Sequence, residues 1–188
     1  TAFVHKSYSN KENDQNTLTP NNNNSISLFD NDYEDMEFLG DRCLDLSVAF
    51  YLYRKYPESD QGFKTKMKTK LVKKDSLAMF ADFLGFQEYI IISKHIEEKT
   101  ITGRNNPRIL EDILEAFLAA IFLDQNSITG DMEFMNKFNN CRILGPGWNI
   151  VNCFIENLIE KCIDFEDLVL NEENFKEGVQ GFFDKSKS

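Results

Sequence analysis

The sequence predicts an all-α fold for a single domain spanning all 188 residues. Phe is abundant, with 17 copies, whereas the residues that most often interrupt helices are scarce, with 9 Gly and 4 Pro. Apolar side chains recur at helical spacing through several long segments, and no long run alternates apolar and polar residues as a strand would. With 41% apolar residues, the chain is able to bury a substantial core.

Helix start and stop signals divide the chain. Pro57 ends the first long helix, and Gly85 is a stop signal after a second group of helices. Asn106 followed by Pro107 matches an N-cap and a proline at the first helical position. The β-branched segment 88–94 fits either a helix end or a short strand, and both interpretations stay open. Helices are predicted, in chain order, over residues 33–56, 61–74, 75–84, 107 to about 123, 131–141, 148–162 and 174–184.

Further features of the sequence concern an insertion, the start of the chain, membrane association and the cellular compartment. The polar, Asn-rich segment 9–32 shows little periodicity, and we expect a disordered surface insertion there. The chain begins without Met, in helix-like sequence, which leads us to expect a fragment of a longer protein. The longest apolar run, 116–123, falls well short of the roughly 20 residues that span a bilayer, so no membrane partner is expected. The 4 cysteines form no CxxC pair, which disfavours zinc. Three of them fall in apolar helical stretches, as buried reduced thiols do, which indicates an intracellular, reducing compartment without distinguishing nucleus from cytoplasm.

The chain is acidic overall, but one segment is strongly basic. A net charge of −10 and a pI of about 4.7 argue against a nucleic-acid binder. Segment 63–74, FKTKMKTKLVKK, nevertheless carries six lysines. It is either a solvated helix face or a surface that follows a phosphate backbone. The lysines predicted to point outward are Lys66, Lys70, Lys73 and Lys74.

Acidic residues lie on two helices that are otherwise almost wholly apolar. On the first helix, four acids fall within a stripe of roughly 80° at 3.6 residues per turn. These acids are Glu34, Glu37, Asp41 and Asp45. The predicted helix from Pro107 repeats the design on one face, with Arg108, Glu111, Asp112 and Glu115.

Stacked like charges repel, and burial adds to the cost of keeping them ionised. A hard divalent cation reverses both effects, and ligands that are all oxygen select magnesium or manganese. The alternative is that the acids form the exposed edges of the two helices. A di-iron carboxylate site is not supported, because that class uses Glu-x-x-His pairs and neither His5 nor His95 has a Glu three residues before it.

At this point the sequence resembles the ribonuclease III family. Segment 36–41, MEFLGD, is similar to the family signature, whose usual core is LEFLGD, and differs only at Met36. The resemblance continues, in the family's order and spacing, in four other segments and covers most of the chain outside the Asn-rich insertion. These segments are FVHKSY at 3–8, YLYRKYP at 51–57, LVKKDSLAMFADFLGF at 71–86 and ILEDILEAFLAAIFLD at 109–124.

The resemblance implies an all-α homodimer that cleaves double-stranded RNA with Mg²⁺, which Mn²⁺ replaces in some settings. Each subunit would cut one strand and the pair would leave a short 3′ overhang. Carried over residue by residue, the metal-binding and catalytic carboxylates are Glu37, Asp41, Asp112 and Glu115. Glu34 and Asp45 would not bind the metal themselves but would lie next to the ligands and help to position them. Phe38 and Leu39 would lie at the dimer seam.

The resemblance also has implications for the basic residues, for Gln61 and for the last segment of the chain. It favours RNA binding by the lysine helix, and it makes Arg104 and Arg108 candidates for phosphate contact, with an Arg108–Asp112 pair as the alternative for the latter. Gln61 stands where the family has a further acid, and neighbouring Asp60 is a possible substitute. Segment 174–188 resembles the stretch that precedes a double-stranded-RNA-binding domain in the family.

Three hypotheses follow from these patterns. The first is a magnesium-dependent endoribonuclease that cleaves double-stranded RNA. The second is a relative that binds duplex RNA or assembles with other subunits without cutting, which the replacement of an acid by Gln61 favours. The third is a purely helical interaction protein, which would leave the two acidic stripes unexplained.

Overall fold

A computed structural model describes residues 1–9, 31–99, 103–127 and 145–170. These residues are predominantly helical, and the all-α prediction is confirmed. Within them, β-structure is limited to an isolated parallel bridge between Val4 and Ile91. The α-helices are α1 (Lys6–Ser9), α2 (Glu34–Lys55), α3 (Gln61–Leu71), α4 (Lys74–Phe83), α5 (Lys94–Lys99), α6 (Pro107–Ser127), α7 (Gly147–Cys162) and α8 (Phe165–Leu170), with 3₁₀ turns at Phe86–Glu88 and Gly103–Asn105.

Local capping interactions explain several helix boundaries. The side chain of Asp60 accepts a hydrogen bond from the backbone N–H of Phe63 at 2.7 Å and so caps α3. The side chain of Asn106 accepts from the backbone N–H of Arg108 at 3.0 Å at the start of α6. Gly85 adopts a left-handed conformation, with φ of +70°, directly after α4.

Two predicted boundaries differ from the observed ones by more than one residue. The lysine-rich helix was expected to reach residue 74 but ends at Leu71, and Lys74 instead opens α4. The backbone leaves the helical region at Val72, where φ is −98° and ψ is 6°. Helix α6 continues to Ser127, four residues beyond the predicted end.

The sequence left open whether segment 88–94 ends a helix or forms a strand. In the structure it connects the 3₁₀ turn that ends at Glu88 with the start of α5 at Lys94, and it contains the isolated bridge at Ile91. The backbone N–H of Ile91 donates to the carbonyl of Phe3 at 2.8 Å, and the N–H of His5 donates to the carbonyl of Ile91 at 2.9 Å. This pairing holds the N-terminal segment against the domain. The predicted helices over 131–141 and 174–184, and nearly all of the Asn-rich insertion, lie outside the described residues.

Helix α6 is the centre of the core. It packs against α2, α4 and α7, and α2 also packs against α7. Apolar residues on most sides of α6 are almost completely buried, as expected for a helix that is apolar nearly all round. They include Ile113, Leu114, Ala116, Leu118 and Ala119. No helix within the described part of the chain combines the length and the hydropathy that crossing a bilayer would require.

Candidate functional site

The two acidic helices meet at a point where α2 has no side chain. Gly40 is buried, and a Cβ atom built on it would overlap the backbone carbonyl oxygen of Glu115 and lie 3.2 Å from the Cα of that residue. Only glycine therefore allows the backbones of α2 and α6 to approach this closely. Glu37 and Asp41 lie within one turn of Gly40, so the crossing brings the acids of both helices to one place.

Glu115 is the most deeply buried of these acids, with 9% of its surface exposed. The pKa of Glu115 is raised to about 8 from an ordinary value of 4.5, and burial is the largest cause of the rise. The charges of the surrounding acids cause the rest of it, in the decreasing order Asp41, Glu111, Glu37 and Asp112. Acids from both helices thus act on one carboxyl group.

Glu37 and Asp112 form the other side of the cluster. Burial raises the pKa of each, and the charge of Asp112 raises the pKa of Glu37 further. The hydroxyl of Tyr33 donates a hydrogen bond to Asp112 Oδ2 at 2.9 Å, which lowers the pKa of Asp112 and partly offsets its burial. The positive charge of Arg108 lowers the pKa of both acids as well. The site is therefore strongly acidic with limited compensation from cations.

Comparison with known proteins agrees with the two motifs that form this crossing. The family model described as Ribonuclease-III-like matches residues 1–138, which include both α2 and α6. The chain belongs to this family. Ribonuclease 3 of Enterococcus faecalis is 42% identical over 124 residues, covering 66% of this chain and 47% of that protein. Ribonuclease 3 of Streptococcus thermophilus is 41% identical over 137 residues, covering 73% of this chain and 53% of that protein. The chain thus spans about half the length of these relatives.

Solved structures of the ribonuclease III family share the fold. The nuclease domain of ribonuclease III from Campylobacter jejuni, in a structure concerned with flexibility in a region involved in dimer formation, superposes with a TM-score of 0.60. It is 28% identical, and the match covers 86% of this chain and 84% of that one. A second structure of the same nuclease domain gives a TM-score of 0.58 at 28% identity.

The donor set of this ribonuclease-III-like site fits a hard divalent cation, because every candidate ligand is a carboxylate. Neighbouring acids raise the carboxyl pKa values in this cluster, and the positive charge of a bound cation would lower those pKa values again. Within residues 1–9, 31–99, 103–127 and 145–170, however, no three His, Cys, Asp or Glu side chains are already close enough together to hold a metal ion. Asp41 Oδ2 pairs with Arg42 Nη1 at 3.2 Å.

The two acids predicted to support the ligands lie in different surroundings. Glu34 is at the edge of the cluster, where its carboxylate pairs with Lys6 Nζ at 2.8 Å. Asp45 instead pairs with Lys68 Nζ of α3 at 2.5 Å. Asp45 therefore connects two helices, whereas Glu34 and Lys6 flank the acids directly.

The basic residues predicted to contact RNA are not equivalent. Lys66, Lys73 and Lys74 are exposed on α3 and at the start of α4. Lys70 is half-buried, and its ammonium group donates to the backbone carbonyl of Leu168 at 2.6 Å. Lys74 is close enough to the acids for its charge to lower the pKa of Glu111, which burial raises. Three of the four predicted lysines are therefore available to a ligand from solvent.

The two arginines also differ. Arg104 pairs with Glu97 at 2.5 Å and donates to the backbone carbonyls of Gln87 and Ile90, so its guanidinium group is already engaged within the chain. Arg108 is exposed at the first turn of α6. Of these two, Arg108 is the one whose surroundings suit a contact with phosphate.

One face of α2 carries large apolar side chains that are exposed in the single chain. Phe38 and Tyr53 are each 69% exposed and Leu46 is 54% exposed, while Leu39 is half-buried. The guanidinium carbon of Arg42 lies 5.7 Å from the centre of the Phe38 ring, on the same face. Several large apolar side chains exposed on one helix face are typical of a protein–protein interface.

Reasoning from sequence missed two residues of this site. Tyr33 immediately precedes the acidic stripe, and its hydroxyl bonds to an acid 79 positions later in the chain. Gly40 interrupts a good helix between two acids, and a glycine inside a strong helical pattern is a signal of close packing that sequence does display. No comparable signal marked Tyr33.

Proposed function

We propose that this chain is the catalytic module of an endoribonuclease that cleaves double-stranded RNA with Mg²⁺. A homodimer would use one site for each RNA strand and leave short 3′ overhangs. The observation that carries the proposal is the crossing at Gly40, where acids from the two family motifs surround Glu115 and raise its pKa together. A cluster of carboxylates with displaced pKa values at a helix crossing is typical of a functional site rather than of a solvated helix edge.

Glu37, Asp41, Asp112 and Glu115 would hold Mg²⁺, or Mn²⁺ in its place. When bound, the metal supplies charge neutralisation at the phosphoryl oxygens and lowers the pKa of a water molecule. The chain contributes by burying Glu115, by orienting Asp112 through Tyr33 and by keeping all four carboxylates on two rigid helices. Positioning of this kind is the main contribution of a protein to phosphoryl-transfer reactions.

RNA recognition would rest on shape and charge rather than on base sequence. Among the basic residues predicted to contact RNA, the exposed ones are Lys66, Lys73, Lys74 and Arg108. Contacts with phosphates and 2′-hydroxyls are how proteins recognise A-form duplexes, because side chains do not reach into the deep major groove. Since the whole chain is acidic, binding by these few cations should be weak and should fall steeply with salt.

The proposal is tested by incubating the full chain with long duplex RNA in either Mg²⁺ or Ca²⁺. We expect cutting into short duplexes only with Mg²⁺, and we expect Asp41→Asn and Glu115→Gln to abolish cutting while leaving RNA binding intact. Asp35→Asn is the control, because Asp35 is an exposed acid on the opposite face of the same helix. Full magnesium-dependent activity in either site variant would show that the assigned site is wrong.

A second function is favoured by one observation. Gln61, which occupies the position of a family acid, is exposed as the first residue of α3, and the adjacent Asp60 is engaged as the cap of that helix. A chain that binds duplex RNA without cutting it would fit this replacement. In the assay above, this alternative would give RNA binding with no cleavage in either metal.

A further inference from the structure

We propose that Tyr33 is a positioning residue that fixes the carboxylate of Asp112 in the orientation required for a divalent cation. The proposal rests on the function proposed above and assigns a role to a residue outside the four carboxylates. Tyr33 would not touch the metal or the RNA. It would act only through Asp112.

The contact itself is specific. The Tyr33 hydroxyl donates to Asp112 Oδ2 at 2.9 Å, which is within the ordinary range for an O–H···O hydrogen bond. This bond engages one carboxylate oxygen and leaves Oδ1 to act as a ligand. A carboxylate held through one oxygen loses most of its rotational freedom before the cation arrives.

Tyr33 is itself held in place from several directions. Only 1% of its surface is exposed. Its backbone N–H donates to the carbonyl of Val4 at 3.0 Å, and its own carbonyl accepts from the N–H of Glu37 at 2.8 Å. Its ring meets the ring of His5 edge-on, with centroids 5.6 Å apart. The hydroxyl is therefore presented to Asp112 by a rigid support.

The support connects three parts of the chain that have no sequence proximity. Val4 and His5 belong to the N-terminal segment, Tyr33 immediately precedes α2, and Asp112 lies on α6. His5 is also fixed, because the backbone N–H of Ser7 donates to its Nδ1 at 3.0 Å. Residues that orient a metal ligand in this way usually matter nearly as much as the ligand, since their removal weakens metal binding or activity by about 10- to 100-fold.

A purely structural role for Tyr33 is the competing interpretation, and Tyr33→Phe separates the two. This variant keeps the buried ring and removes only the hydroxyl. We expect its affinity for Mn²⁺, measured by electron paramagnetic resonance on the full chain without RNA, to fall by about tenfold. We also expect kcat for duplex RNA to fall while KM stays unchanged, and circular dichroism to show the same helix content.

Tyr51→Phe is the matched control. Tyr51 lies near the end of α2 that is far from Tyr33, is 6% exposed and donates its hydroxyl to a carboxylate, that of Glu160. Its removal costs the same type of hydrogen bond without touching the acidic cluster. We expect Tyr51→Phe to bind Mn²⁺ as the unmodified chain does.

A double-mutant cycle with Asp112→Asn completes the test. If Tyr33 acts through Asp112, Tyr33→Phe should have no further effect on Mn²⁺ affinity once Asp112 is replaced. Unchanged Mn²⁺ affinity in Tyr33→Phe, with or without a loss of thermal stability, would overturn the positioning role and leave the proposed nuclease function standing. Failure of the unmodified chain to bind Mn²⁺ and to cut RNA would overturn both.

Discussion

The Cα of Gly40 on α2 faces the backbone carbonyl of Glu115 on α6 with no space for a side chain between them. This single approach sets the distance between the two acidic helices. It explains why a residue with poor helix propensity stands in the middle of a 22-residue helix. The geometry of the acidic site therefore depends on a residue that carries no functional group.

Gly40→Ala should destabilise the protein and abolish cleavage although every acid is retained. The added Cβ would overlap the Glu115 carbonyl, so α2 and α6 would have to separate, with an expected loss of about 3 kcal/mol in the free energy of unfolding. Urea denaturation and the duplex-cleavage assay measure the two effects. Gly62→Ala on the exposed start of α3 is the control, where we expect a change below about 1 kcal/mol.

The free energy of unfolding without metal should fall as pH rises from about 4.5 to 8. In this range the folded protein retains the proton on Glu115, whose pKa is raised to about 8, while the unfolded chain has released it. Glu37, Glu111 and Asp112 shift in the same direction. The Gln side chain of Glu115→Gln does not titrate. The free energy of unfolding of this variant should therefore fall less over the same range than that of the unmodified chain, by a difference on the order of a few kcal/mol.

Urea titrations at pH 5 and pH 8 in the presence of a chelator make this measurement. His5 acts in the opposite direction, because burial lowers its pKa and its contribution to stability is therefore lost as pH falls below about 6.5. Equal pH dependence in the unmodified chain and in Glu115→Gln would contradict the assignment of Glu115 as the dominant buried acid.

Metal should stabilise the protein more at high pH than at low pH. The carboxylates must lose their protons to act as ligands, so Mg²⁺ or Mn²⁺ competes with protons for the site. We expect the rise in Tm caused by Mn²⁺ to be larger at pH 8 than at pH 5, and to disappear in Asp41→Asn. A Tm shift that is independent of pH would indicate that Mn²⁺ binds elsewhere.

Phe38→Glu should convert the proposed homodimer into a monomer. Phe38 is 69% exposed at one end of the apolar face of α2, and placing a charge there would make burial against a second copy unfavourable. Light scattering coupled to size-exclusion chromatography gives the mass. Phe83→Glu is the control, since Phe83 is 58% exposed but lies on α4; dissociation by this variant instead would assign the interface to another surface.

Replacing Lys66, Lys73 and Lys74 together by Gln should weaken RNA binding and flatten its dependence on salt. The slope of log K against log salt should decrease by about one for each phosphate that the chain no longer neutralises. Lys70→Gln should mainly reduce thermal stability, because Lys70 bonds to the Leu168 carbonyl and connects α3 with α8. Binding measured by fluorescence anisotropy at several salt concentrations distinguishes the two groups.

The placement of the four acids on two helices was predictable because its signals are local. Helical periodicity, capping residues and apolar flanks placed Glu37 and Asp41 on one buried helix and Asp112 and Glu115 on another. The ribonuclease III signature then paired these helices. Boundaries were predicted less well, as at Leu71, because the end of a helix depends on how the next segment packs.

By itself, the sequence determined the long helices, the acidic stripes and the family of this protein, since each depends on residues a few positions apart. Only the tertiary structure decided which side chains meet. It joined Tyr33 to Asp112, engaged Asp45 with Lys68 and Arg104 with Glu97, and left Lys66 exposed while engaging Lys70. The physical reason is that such contacts depend on how helices cross, and that crossing is set by packing between distant segments, here by the absence of a side chain at Gly40.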